Sequence, residues 1–196
     1  MKSCTPSTWI IALILCLLAP SLAHAGMTPE EVKAFEGYKA AAQGDAKAQT
    51  YLGYCYRDGR GVAKDKVQQA FWYHKAAEQG YAEAQANLGF CYRDGVGVAK
   101  DDVQAVSWWR KAAEQGYAEA QYMLGACYYS GRGVAKDEVE TFAYYSLAGI
   151  TIGLARTSRA FLAEGMSPDA RTRGQQRAIE LAKEIEAKIA AKKAGK

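Results

Sequence analysis

Residues 46–65 read AKAQTYLGYCYRDGRGVAKD, residues 82–101 read AEAQANLGFCYRDGVGVAKD, and residues 118–137 read AEAQYMLGACYYSGRGVAKD. The block that carries them is 36 residues long, starts at Gly44, Gly80 and Gly116, and agrees at 24 of 36 positions between its first two copies. A period of this length marks one supersecondary unit, repeated and stacked so that each copy buries a face it cannot bury alone. A residue that returns in every block therefore belongs first to the stack. Functional signal has to be sought where the blocks differ.

Each block holds two helical patterns around a glycine loop. In the first pattern Ala48, Leu52, Cys55 and Tyr56 fall on one apolar face, and Gly53 beside them admits a close neighbour. Asp58-Gly59-Arg60-Gly61 ends that helix, with glycine supplying the left-handed turn. The second pattern opens at Asp65 with Gln68 three residues on, then Asp101 with Gln104 and Asp137 with Glu140, which predicts a capping box in every block. Its body is expected to bury Trp72 and Ala76, Trp108 and Ala112, and Tyr144 and Ala148. Ahead of the blocks, Thr28-Pro29-Glu30-Glu31 supplies an N-cap, a first-turn proline and a capping glutamate for a lone helix. Behind them, Met166-Ser167-Pro168 starts a last helix with Leu181, Ile185 and Ile189 as its apolar stripe.

The order Ala-x-Ala-Gln, Leu-Gly, Tyr, Gly-x-Gly-Val, Asp, Trp, Lys-Ala-Ala-Glu-Gln-Gly resembles the Sel-one-like repeat family, relatives of the tetratricopeptide repeats, from Gly44 to about Thr151. The resemblance implies an all-α fold, a right-handed α-solenoid of stacked helix-turn-helix repeats with an N-terminal half repeat and a C-terminal helical cap. The expected organisation is a signal peptide over 1–25, a half-repeat helix over 26–43, repeats over 44–79, 80–115 and 116–151, and capping helices with a basic tail over 152–196.

The leader reading rests on Lys2, on the apolar run from Trp9 to Ala19, too short to span a bilayer, and on Ala23-His24-Ala25 before Gly26. It predicts a periplasmic or secreted bacterial protein with no integral membrane segment once the leader is removed. The chain carries 25 basic and 21 acidic side chains, a formal net charge of +4, with the two signs interspersed. This is no nucleic-acid footprint. Cys55, Cys91 and Cys127 recur at one place in each block, and neighbouring helices pack about 8–10 Å apart, too far for a disulfide. They are expected to be free thiols.

No catalytic set can be assembled from these residues. His74 is the sole histidine after the leader and is replaced by Arg110 and Ser146 in the other blocks. The Gly59-x-Gly61 pairs follow a helix, whereas a phosphate loop follows a strand. No cofactor or metal is expected. What varies is the face of the first helix opposite its apolar side: Lys47, Thr50, Tyr54, Arg57 and Asp58, then Glu83, Ala86, Phe90, Arg93 and Asp94, then Glu119, Tyr122, Ala126, Tyr129 and Ser130. In tetratricopeptide-like folds this stripe lines the concave groove, and aromatic and arginine side chains there suit peptide recognition. The implied function is a non-catalytic exported adaptor that holds a peptide or protein, monomeric or dimerised through its C-terminal helix. The alternative is a cell-wall glycan or β-lactam-interacting protein, possibly a hydrolase, akin to cysteine-rich relatives. Those relatives carry paired cysteines in each repeat, whereas this chain has one.

Overall fold

The computed structural model describes residues 26–195, and among these every regular element is an α-helix. The leader read in residues 1–25 lies outside the described residues. The lone helix α1 spans Pro29–Ala41, α2 (Ala46–Asp58) and α3 (Lys66–Glu78) make the first repeat, and α4 (Ala82–Asp94) and α5 (Asp102–Ala113) the second. The third is α6 (Ala118–Ser130) with α7 (Glu138–Ala148), and α8 (Gly153–Gly165) and α9 (Pro168–Ala194) close the stack. The result is an α-solenoid.

Inside each repeat the two helices meet at a glycine. The ring of Tyr73 lies against Gly53, that of Trp109 against Gly89 and that of Tyr145 against Gly125, so closely that a Cβ at any of the three would collide with ring atoms. Leu52, Leu88 and Leu124 beside them are each 0% exposed. The expected burial holds for Ala76, Trp108, Ala112, Tyr144 and Ala148 and fails for Trp72, but the aromatic facing the glycine is in each repeat the next residue along. Trp72 is only half-buried, and Trp108 and Tyr144, though buried, pack away from the glycine. A helix turns 100° per residue, so two adjacent aromatics compete for the seam, and the residue facing the missing side chain wins it.

The start of each second helix departs from expectation in a similar way. Asp65, Asp101 and Asp137 each accept two backbone N–H bonds, at 2.8–3.0 Å, as N-caps. The reciprocal half of a capping box is not made. The N–H groups of Asp65, Asp101 and Asp137 already donate to the carbonyls of Tyr56, Tyr92 and Tyr128, at 3.0, 2.9 and 3.1 Å. Gln68, Gln104 and Glu140 thus have no donor to receive, and Glu140 takes Arg177 instead at 2.8 Å. At α1 both halves form, with Thr28 N–H donating to Glu31 at 2.8 Å and Glu31 N–H to Thr28 at 3.2 Å.

Neighbouring repeats are joined by the recurring glutamine of Ala-x-Ala-Gln. Gln49, Gln85 and Gln121, each 5% exposed, donate to the carbonyls of Ala42, Ala77 and Ala113 at the end of the preceding helix. Each of these carbonyls also accepts from the N–H of Gly44, Gly80 or Gly116, so the buried amide takes up its second lone pair. The last helix α9 runs along α7, where Gly174 meets the ring of Phe142 and Leu181 and Ile185 join the core around Trp109, Tyr144 and Leu147. Lys188 pairs with Glu114 at 2.9 Å, and Lys192 donates to Gln115 at 2.7 Å.

Candidate functional site

Repeats one and two build the same three-residue module on their first helices. The guanidinium of Arg57 lies over the Tyr54 ring at 4.6 Å, and that of Arg93 over the Phe90 ring at 4.9 Å. Arg57 donates to both carboxylate oxygens of Asp58 at 2.8 and 3.2 Å, and Arg93 to both of Asp94 at 2.7 Å. Behind each module stands the seam aromatic, with Tyr54 edge-on to Tyr73 at 5.7 Å and Phe90 edge-on to Trp109 at 5.4 Å. The ring fixes the arginine and the acid fixes its plane, so the exposed edge of each guanidinium is held in one orientation. Repeat three lacks the module: Ala126 and Ser130 replace ring and acid, the Ser130 hydroxyl donates back to Ala126 O at 2.8 Å, and Tyr122 stacks on Tyr145 at 5.5 Å.

The module is tied across repeats by a short chain of hydrogen bonds. The Tyr54 hydroxyl donates to Glu83 at 2.6 Å and accepts from Asn87 at 2.8 Å, and the Tyr81 hydroxyl donates to the other Glu83 oxygen at 3.0 Å. Burial and the bond to Glu83 push the Tyr54 phenol well above its ordinary range and Tyr81 up to about 12. Hydrogen bonds from Arg57 and Arg93 hold the carboxyls of Asp58 and Asp94 below the usual carboxylate range. These groups are therefore fixed in charge at neutral pH.

Most of the sequence-derived stripe comes together on this side of the first helices. Lys47 and Glu119 are exposed at helix starts, and Tyr129 is 54% exposed at the far end. Thr50 does not belong to it. It is 1% exposed, its hydroxyl donates to Ala46 O at 2.8 Å, and its counterpart Ala86 is equally buried. Tyr54 and Phe90 are half-buried and pack on the core, so they are walls of the site and parts of the seam at once. The residue that sequence reasoning missed is Tyr51, 39% exposed and stacked on Tyr38 at 5.0 Å. Its counterparts Asn87 and Met123 differ in every repeat, and that variation was the available signal. Two clefts open along the stripe, one of about 240 Å³ beside Tyr38, Tyr51 and Arg57 and one of about 320 Å³ beside Arg57, Asn87 and Arg93.

The remaining candidate chemistry is quiet. Cys55, Cys91 and Cys127 are free and buried, and burial pushes the Cys91 thiol up to about 12 and Cys127 to about 11. Protonated thiols of this kind are poor nucleophiles. His74 sits 3.5 Å from Glu78 and edge-on to Trp108. Among the described residues no helix is long and apolar enough to cross a membrane, and no group of three or more metal-ligating side chains is gathered.

The Sel1 repeat model matches residues 46–81, 82–117 and 118–149, which is over half of the chain. The chain belongs to the Sel1 repeat family. Among solved structures it is similar to a Sel1 repeat protein from Oxalobacter formigenes, with 38% identity and a TM-score of 0.60 over 64% of this chain and 96% of that one. It is also similar to a protective antigen present in uropathogenic Escherichia coli strains that displays an SLR fold, with 32% identity and a TM-score of 0.51 over 82% of this chain and 43% of that one. No protein of curated function matches it. Sel1 repeat proteins are helical scaffolds that mediate protein interactions and are typically non-catalytic.

Proposed function

We propose that this Sel1 chain is an exported scaffold that holds a peptide or protein against the groove formed by α2, α4 and α6. The observation that carries the reading is the pair of modules at Arg57 and Arg93. Each sets a guanidinium on an aromatic ring and against an acid, a rigid amphipathic surface of the residue types that dominate interface energetics. Tyr38, Tyr51 and Tyr129 extend it with further aromatic area. Export rests on the leader pattern in residues 1–25.

The test is a photo-crosslinking residue placed at Tyr51 or Tyr129, with Val67 on the second-helix face as control, since Val67 is 63% exposed. The reading expects a crosslinked partner from Tyr51 or Tyr129 and none from Val67. Adducts of the same partner from all three positions, or from Val67 alone, would move the binding surface elsewhere. Export is tested separately, by the mass of the protein recovered from the periplasm or medium, where an N-terminus at Gly26 is expected and a retained leader would reject it.

A further inference from the structure

In each repeat the second helix covers the first, but α8 has no such cover. Matching the N-cap residues Tyr117 and Ile152 puts Ala155 at the place of Ala120, both 0% exposed. The same alignment puts Arg159 at Leu124 and Ala160 at Gly125. After α8 the chain turns at Met166-Ser167, and α9 leaves to pack along α7. The berth a second helix would occupy remains as a cleft of about 540 Å³, floored by Phe142 and Ser146, with Arg159 and Ala163 on one wall and Arg171 and Ile179 on the other.

The cleft combines apolar surface with unpaired cations. Ile179 at its edge is 50% exposed. The Arg159 guanidinium lies 5.9 Å from the centre of the Phe142 ring, and Arg171 donates from Nη2 to Met166 O at 3.2 Å. The Nε of Arg171 is buried with no hydrogen-bond partner. Among the described residues neither arginine has a carboxylate within ion-pair distance. Nor does the lining hold an acid, since Glu140 on α7 and Asp169 on α9 are engaged by Arg177 and Arg173.

We propose that this cleft is a docking site for an amphipathic helix of a partner whose polar face carries Asp or Glu, on a surface separate from the α2, α4 and α6 stripe. The shape argues for a helix, because the berth lies between helices in the place a helix fills in every preceding repeat. The charge argues for carboxylates, which would pair with the Arg159 and Arg171 guanidiniums while apolar side chains cover Ile179. Ala160 in place of glycine keeps the visitor a methyl group further out than the seam aromatics, so it docks more shallowly than a helix of the stack.

Fluorescence anisotropy on the purified protein tests this with a labelled helical peptide of Leu, Ala and Glu about four turns long. The same peptide with Gln for Glu forms a second arm, and phosphatidylglycerol vesicles a third. The Glu peptide should bind saturably, with Gln for Glu and Arg159→Gln each weakening it about tenfold. Arg57→Gln on the separate stripe should leave that binding unchanged. Equal binding of the Glu and Gln peptides, or no effect of Arg159→Gln, would reduce the site to apolar adhesion and overturn the proposal. Binding to vesicles without binding to the Glu peptide would replace it with a lipid surface. Arg171 also anchors Met166, so if Arg171→Gln fails to fold, Arg159→Gln and the exposed Ile179→Glu decide the matter.

Discussion

In the second repeat, α4 lays Gly89 on Trp109, whose Nε1 donates to Ala86 O at 3.1 Å, and the seam is shut. In the closing unit, α8 presents Arg159 and Ala160 at the matching places, and α9 goes elsewhere. One helical pattern thus yields a sealed interface in one region and an open cleft in the other. The deciding positions are two, the leucine that fills the seam and the glycine that lets the ring approach. Once those change, terminating the stack and leaving a berth are the same event, which is how a terminal unit can stop propagation and still offer a surface.

The largest effect should come from forcing the sealed region open. Gly89→Ala sets a Cβ inside the Trp109 ring, and the ring is pinned by its hydrogen bond, so the variant should lose about 2 kcal/mol or more in urea unfolding. Gly37→Ala in α1, where nothing lies within 4 Å, should instead gain up to about 1 kcal/mol. Equal outcomes for the two glycines would mean that helix propensity, not close approach, governs these sites.

A smaller effect separates the two halves of the expected capping box. Asp101→Ala removes the acceptor for two N–H groups and should cost about 1 kcal/mol. Gln104→Ala should cost next to nothing, because the Asp101 N–H is already bonded to Tyr92 O. Comparable losses from both substitutions, read by chemical denaturation, would restore the reciprocal box.

Smaller still is the contribution of the module acids. Their folded pKa lies below the ordinary 3.8, so their stabilisation is present above about pH 4 and is lost as pH falls through the folded value. Carboxyl-carbon NMR titration should place Asp94 below 3.8, and Arg93→Gln should return it toward that value. An unchanged Asp94 titration in the variant would mean the arginine is not the cause.

The sequence makes the stack legible because its strongest signals repeat. Ala-x-Ala-Gln, Leu-Gly and the N-cap aspartates each return three times, and the structure gives each a packing or capping task. Two things are hidden by single-residue ambiguity. Thr50 and Tyr51 are neighbours on one helix and either fits the exposed stripe, as either Trp72 or Tyr73 fits the seam, until the opposing small residue is located. The open cleft is hidden for another reason. The step from Tyr117 to Ile152 is one residue short of the period, so Arg159 does not line up with Leu124 when the sequence is read in blocks of 36.

The central claim is that the guanidiniums of Arg57 and Arg93 meet a partner without holding the stack, even though the rings beneath them belong to the seam. The most direct measurement is the double variant Arg57→Gln, Arg93→Gln, followed by thermal melting together with crosslinked capture through Tyr51. Partly exposed ion pairs and cation–π contacts contribute little each. The melting temperature should therefore fall by no more than about 3 °C while capture is lost. A fall of more than about 8 °C, or full capture by a folded double variant, would contradict the claim.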